Sequence, residues 1–309
     1  MERKVLFEIE SLYRDNFRVT GLSFGKGKKS LCIVGNTRGN EYQQIYICSQ
    51  IVKKLKELEA KGRICPDHEI MVIPSANPYS MNIQKRFWPT DNTDINRMFP
   101  GYNLGETTQR IAAGIFDAII GYEYGIQFPS FYMPGDFAPH VRLMRTGRES
   151  VEKAKAFGLP YIVTRSPRPY DTTTLNYNWQ IWETNAFSLY STTTERIDEE
   201  SAERMVEAVL NFMTEEGMIL RKGYQGYHSE VVDDNELVAV RPYSAGMFQS
   251  GIRVNQRVLK GQELAWITDP YDGSVREKLT APVTGVVFFV HSHPMTYANT
   301  AVLKIVPAE

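Results

Sequence analysis

The residues able to do chemistry gather first between Cys32 and Gln44, in CIVGNTRGNEYQQ. A short apolar run meets a glycine turn, and a polar cluster then opens a long amphipathic pattern. In an α/β sheet, the junction of a strand end with a helix start is a common ligand site. Here it carries Arg38 and Glu41, a guanidinium and a carboxylate able to form an ion pair. The guanidinium stays protonated and offers no lone pair to a metal. Gly35 and Gly39 read as turn glycines, with nothing to support a phosphate loop. Further on, Asp94–Gly101 (DINRMFPG) holds Arg97, whose planar fork suits a bidentate grip on carboxylate. Asp94 is also an ordinary ion-pair partner for it. The chain has five histidines, His68, His140, His228, His291 and His293, of which only His140 is well placed for a site in this part of the chain. His291 and His293 would face one side of a strand, but two solvent-facing turn histidines are the expectation. Cys32, Cys48 and Cys65 are odd in number and lack paired metal spacing, which leaves three reduced thiols.

Composition sets the frame for these residues. A chain of 309 residues can bury a large core and suggests two domains. Hydrophobic residues make up 42% and charged residues 23%, the balance of a soluble globular protein. A formal net charge of -1 gives no global field for nucleic acid or an anionic membrane. No apolar run is long enough to span a bilayer. The first residues, MERKVLFEIESLYRD, lack the apolar core of a signal peptide. Together these features point to the cytoplasm, with neither nucleic acid nor membrane as a partner.

The elements that must position the site follow from periodicity. Arg18–Phe24 and Ser30–Val34 read as strands around a Gly/Lys turn. From Asn40 to Lys61 the pattern is helical, with Cys48, Ile51, Val52, Leu55 and Leu58 on one face. Glu69–Pro74 is a continuous apolar run, as in a parallel strand buried on both faces. Strand, helix and strand make a βαβ unit. A long non-periodic segment, Asn77–Gly105, is of a length that is usually functional. A helix is expected from about Glu106 to Gly121 and a strand at Tyr124–Phe128. Pro139–Leu143 reads as a short strand or turn, Glu149–Gly158 as a helix, and Tyr161–Thr164 and Ala186–Ser191 as strands. Asp198 then caps a helix ending near Gly217. After about Gly223, short β-like segments recur between Gly, Pro, Asp and Asn turns, an all-β pattern. The boundary falls near Arg221–Ser229. The tract QFPSFYMPGDF reads equally as a lid or as core packing.

Gly39-Asn40-Glu41 resembles the tail of a zinc-binding signature, His-Gly-(Asn or Asp)-Glu, with Arg38 at the position of its His. Asp94–Gly101 is similar to DLNRxFPG, Asn77-Pro78 to the Asn-Pro before that loop, and Arg86 to an Arg shortly ahead of the DLNR run. Pro139–Leu143 matches a PHVRL-like segment, and Arg196–Glu199 the approach to the last helix. Asn255–Leu264 and Ala281–Phe288 match the C-terminal GxxVxxGQxL and APxxGVVF patterns. In this order the motifs resemble the succinylglutamate desuccinylase/aspartoacylase family over nearly the whole chain. The resemblance implies a zinc carboxypeptidase-like α/β domain at 1–222, with a mixed, mostly parallel sheet flanked by helices. It also implies a small all-β barrel-sandwich, lipoyl-like domain at 230–309. The TDPYDGSV turn lacks the Lys of a carrier arm.

The family's reaction hydrolyses the amide of an N-acyl amino acid. Two His and a Glu hold zinc and leave a position for water, the metal acidifies that water, and a downstream Glu is the base. Carried over, the first His falls on Arg38, the ligand Glu on Glu41, the second His on Pro129 (within Ile126–Ser130, beside IDLHT), and the base on or beside Tyr190. Proline has no ligand group. Asn96 and Arg97 resemble the pair that grips a substrate carboxylate, and Arg86 the residue that polarises the scissile carbonyl. His140 and Arg142 line the same pocket in this reading. The expectation is a protein that binds a small carboxylate-bearing ligand without family-type zinc catalysis, Glu41 and Tyr190 being the candidate catalytic residues. No cofactor is expected, and zinc only if the site is rebuilt around Glu41 and His140 with an acid such as Asp136 or Glu195. The alternatives are an active amide hydrolase with a rearranged or metal-free site, and an assembly protein. A homo-oligomer or a complex with an active paralogue is the partner expectation.

Overall fold

After His68 the strand His68–Ile73 reads Glu, Ile, Met, Val and Ile, and the last four are buried, as a strand covered on both faces requires. The same holds for Leu31–Val34, where every residue is buried. The computed structural model describes residues 1–13, 15–131, 133–223 and 226–308. These fall into two units: Met1–Ser130 with His140–Ser229, and Phe131–Pro139 with Glu230–Glu309. The sequence boundary at Arg221–Ser229 includes Tyr224 and Gln225, which lie outside the described residues. The segment Phe131–Pro139, read in sequence as part of the first domain, groups with the second unit.

The strands up to the last helix are β1 (Glu2–Ile9), β2 (Phe17–Phe24), β3 (Lys28–Val34), β4 (His68–Ile73), β5 (Tyr124–Gln127), β6 (Gly135–Phe137), β7 (His140–Met144), β8 (Tyr161–Arg165) and β9 (Asn185–Tyr190). The helices are α1 (Tyr42–Ala60), α2 (Pro78–Asn82), α3 (Thr107–Ile119), α4 (Val151–Lys155), α5 (Leu175–Ile181) and α6 (Glu199–Glu215). Within the first unit the sheet runs β1-β2-β4-β3-β5-β9-β7-β8. Strands β4, β3, β5 and β9 are mutually parallel, β2 and β7 flank them antiparallel, and β8 runs parallel to β7. This is the mixed α/β sheet expected. One face packs against α1 and α6 through residues such as Ile47, Ile51, Val209 and Phe212. The other packs against α3 and α5 through Ile111, Ile115, Leu175 and Trp179.

Local signals explain the helix ends. Glu106 and Gln109 form a capping box at the start of α3. The Asp198 carboxylate accepts from Ser201 N–H at 3.0 Å, capping α6 as anticipated. Four of these elements, β1, α2, β6 and α5, were not anticipated. Strand β1 is largely exposed, so its apolar alternation is weak. Helix α5 is only 7 residues, too short to show a period.

The second unit continues with β10 (Glu230–Asp233), β11 (Val238–Val240), β12 (Gly246–Ser250), β13 (Arg257–Val258), β14 (Glu263–Thr268), β15 (Val275–Thr280), β16 (Gly285–His291), β17 (Met295–Thr296) and β18 (Leu303–Pro307). It holds two antiparallel sheets, β11-β18-β16-β13 with β6 beside β16, and β15-β14-β12-β17, over a shared apolar core. The tract 131–137 packs rather than lying open: Phe131 stacks on Phe137 at 3.9 Å, and Phe137 meets Phe289 at 4.5 Å. Tyr132 of this tract is outside the described residues. The expectation for His291 is corrected: it is buried, close to Phe248 and Phe289, because it closes a core strand. Among the described residues, no helix is long and apolar enough to cross a membrane.

Candidate functional site

The site is built where β3 ends and α1 begins. After Val34 the chain turns through Gly35 and Asn36, the latter at φ 42°, a conformation Asn tolerates well. Asn36 Nδ2 donates to the Arg38 carbonyl at 2.9 Å. Gly39 donates its N–H to the Arg86 carbonyl at 3.0 Å. A Cβ at Gly39 would lie 2.2 Å from the Lys85 carbonyl oxygen, so the two backbones meet only because this residue is glycine. Glu41 then occupies the N-cap position of α1.

Arg38 and Glu41 are brought together, with two further partners from distant segments. The Glu41 side chain is fully buried, and its Oε1 accepts from Ser130 Oγ at 2.6 Å, Ser130 N–H at 3.1 Å and Arg38 Nη1 at 3.3 Å. Its Oε2 accepts from the Arg38 N–H at 3.0 Å and from Thr37 Oγ1 at 3.3 Å. Arg38 Nη2 and Nε both donate to Asp94 Oδ2, at 2.8 and 3.1 Å. Its Nη1 also reaches Ser130 Oγ at 3.1 Å. Burial works against the Arg38 charge, but Asp94 and then Glu41 more than offset it, and the guanidinium is held above its ordinary range. A buried charge survives only when paired and hydrogen-bonded in this way.

Around this centre stand the other arginines. Arg86 Nη2 donates to Ser130 Oγ at 3.3 Å, and its Nη1 lies 3.9 Å from the exposed Glu195 carboxylate. Burial and then repulsion from Arg38 push the Arg86 pKa down. Arg97 makes the local pair foreseen, 3.5 Å from Asp94 Oδ2, and donates to the Tyr170 carbonyl at 3.2 Å. The Asn96 amide oxygen accepts from Gln127 Nε2 at 2.7 Å. His140 is buried and stacks on Tyr190 with centroids 4.8 Å apart, its register partner across β7 and β9. The Arg142 guanidinium lies 5.0 Å from the same Tyr190 ring. Pro129 lies in the turn after β5, where its carbonyl meets Gln44 Nε2 at 3.4 Å.

Zinc requires three converging lone-pair donors with an open fourth position. Glu41 spends both oxygens on five donors, Arg38 and Pro129 carry no lone pair for a metal, and among the described residues no group of three His, Cys, Asp or Glu converges. These residues do not fit a His/His/Glu zinc site. Of the residues considered for a rebuilt site (Glu41, His140 and Asp136 or Glu195), His140 stacks on Tyr190 and Glu195 is exposed and accepts from Asn40 Nδ2 at 2.7 Å. Sequence reasoning missed Ser130 altogether and saw Asp94 only as a partner of Arg97. The one available signal for Ser130 was a hydroxyl just beyond the strand expected at Tyr124–Phe128.

Three comparisons bear on this arrangement. Residues 27–215 match the model of the succinylglutamate desuccinylase/aspartoacylase catalytic domain. A curated relative, the N-alpha-acetyl-L-2,4-diaminobutyric acid deacetylase of Halomonas elongata, is 26% identical over 158 residues, 47% of this chain. The match spans 42% of that relative's length. Among solved structures, a succinylglutamate desuccinylase/aspartoacylase from Rhodobacter sphaeroides superposes with a TM-score of 0.76 at 19% identity, covering 94% of this chain and 89% of the other. The product-bound ectoine utilization protein of Ruegeria pomeroyi gives 0.75 at 17% identity, covering 94% and 89%.

Proposed function

Because the chain belongs to the succinylglutamate desuccinylase/aspartoacylase family, we propose that it binds a small carboxylate-bearing ligand of the N-acyl amino acid or short peptide class, without the family's zinc catalysis. The observation that carries this reading is the Arg38 guanidinium bonded to Glu41, Asp94 and Ser130 at the position where the family motif has a His. A cation already fixed among the carboxylates competes with any metal for them. Arg86 and Arg97 support the ligand class. Both are partly exposed, and their carboxylate contacts, 3.9 Å and 3.5 Å, are long enough to yield to a ligand carboxylate. Asn96 and Arg142 complete the proposed lining, with His140 and Tyr190 stacked behind it.

A second reading, an active amide hydrolase with a metal-free site, is favoured by the deacetylase match and by Ser130 Oγ at 2.6 Å from Glu41. The first reading is preferred because both Glu41 oxygens are already engaged by five donors within the protein. We read the second unit as the family's barrel-sandwich domain, a reading its paired antiparallel sheets support. Three free cysteines favour the cytoplasm.

The test is a thermal-shift panel of N-acyl amino acids, run beside an amide hydrolysis assay with and without added zinc. The expected outcome is a saturable rise in Tm for at least one compound and no turnover in either assay. Zinc-dependent turnover contradicts the first reading, and the absence of any shift contradicts both.

A further inference from the structure

Arg38 is only 6% exposed, yet its guanidinium is met by groups from three separate segments. Glu41 comes from its own turn, Asp94 from the loop before the 3-10 turn Ile95–Arg97, and Ser130 from the segment after β5. Each partner is anchored independently of Arg38. Asp94 Oδ1 accepts from Asn96 N–H at 3.0 Å, Glu41 accepts from Thr37 and from Ser130 N–H, and Ser130 Oγ donates to Glu41. Two carboxylates, a hydroxyl and the Ser130 carbonyl (3.4 Å from Nη1) thus converge on the guanidinium, each held by contacts of its own.

We propose that Glu41, Asp94 and Ser130 form a cation-binding centre of the guanidinium class, and that its occupant is the chain's own Arg38. The directions of the acceptors support this class. Asp94 Oδ2 takes the Nε and Nη2 edge of the fork, while Glu41 and Ser130 take Nη1, so the acceptors follow the donors of a planar guanidinium. Arg38 acts as a positioning residue. It fixes Ser130 Oγ, which in turn accepts from Arg86 at 3.3 Å. The functional consequence is a centre that is ready without metal loading. That last step rests on the ligand-binding reading above; the cation centre itself does not.

The experiment is chemical rescue of Arg38→Ala, read by melting temperature in low-millimolar guanidinium chloride, in potassium chloride of equal ionic strength, and in zinc chloride. Leaving buried Glu41 and partly buried Asp94 uncompensated lowers Tm by roughly 6–20 °C. Guanidinium is expected to raise the Tm of the variant saturably, by roughly 3–6 °C at ten times its Kd, and to leave the parent chain unmoved. Adding Asp94→Asn to the variant abolishes the rescue. An unchanged Tm in Arg38→Ala, an equal response to potassium chloride, or stabilisation by zinc in place of guanidinium overturns the proposal. If Arg38→Ala does not fold in plain buffer, refolding yield in the three salts becomes the readout. Recovery dependent on guanidinium supports the centre, and no recovery overturns it. None of the added cations is a carboxylate ligand, so failure here is distinct from failure of the ligand panel.

Discussion

Ser130 and Arg97 sit at opposite ends of the range of what a side chain contributes here. Ser130 is buried and gives Glu41 its shortest hydrogen bond, 2.6 Å. Ser130→Ala removes that donor and the acceptor shared by Arg38 and Arg86, and a cost of about 1–3 kcal/mol is expected from urea denaturation. Arg97 is 38% exposed and pairs with Asp94 at 3.5 Å. Pairs of that kind contribute about 0–1 kcal/mol. Arg97→Ala should leave the urea midpoint nearly unchanged while abolishing the thermal shift caused by an N-acyl amino acid. A large stability loss with the shift retained would make Arg97 structural. The pairing of Arg38 with Glu41 was legible in the sequence because the two are three residues apart. Asp94 and Ser130 were not legible as their partners, lying 56 and 92 residues from Arg38 in sequence. Long-range convergence of single polar residues leaves no periodic trace.

Two short segments hold these residues, and each can be broken by one change. Gly39 passes so close to the backbone at Ser80 and Lys85 that Gly39→Ala must move one of them. A loss of about 1–3 kcal/mol is expected, together with weaker ligand binding, since the same turn carries Arg38. The second segment is the loop around the 3-10 turn Pro169–Asp171. Buried Asp171 accepts from Arg165 and from the Arg168 N–H, the latter at 2.8 Å. Tyr170 and Thr173 then offer their carbonyls to Arg97 and to the Phe99 N–H. Asp171→Asn leaves Arg165 under-compensated, at a cost of about 3–5 kcal/mol, and loosens the loop that seats Arg97. Long periodic elements such as α1, α3 and α6 were legible because one face of each is apolar. The segment 131–139 was not, because its aromatic residues suit a lid and a core equally. The pairing of β6 with β16 and the packing of Phe137 on Phe289 decide between them.

Across the whole molecule, acid sensitivity is predicted to arise in part from the second unit. Burial, then repulsion from His293, lowers the His291 pKa, against a hydrogen bond with the Pro134 backbone. A folded pKa below the unfolded value of about 6.5 means the unfolded chain binds the proton more readily. The neutral imidazole's contribution is complete above that value and is lost as pH falls through the folded pKa. Stability should therefore decline as pH falls below about 6.5, and His291→Gln should flatten that slope in urea midpoints taken across the range. An unchanged slope would assign the acid sensitivity elsewhere. At this scale the family and the α/β sheet were legible, since ordered motifs span the chain. The resemblance alone would imply a zinc enzyme, whereas the substituted residues at the centre point the other way.

The central claim is that Arg38, Glu41, Asp94 and Ser130 form a centre already filled by a cation of the chain itself. Zinc content by elemental analysis tests it most directly, on protein purified without a His tag or chelator, and again after zinc loading and desalting. Far less than one zinc per chain is expected in both samples. Near-stoichiometric zinc that is lost in Glu41→Gln would contradict it.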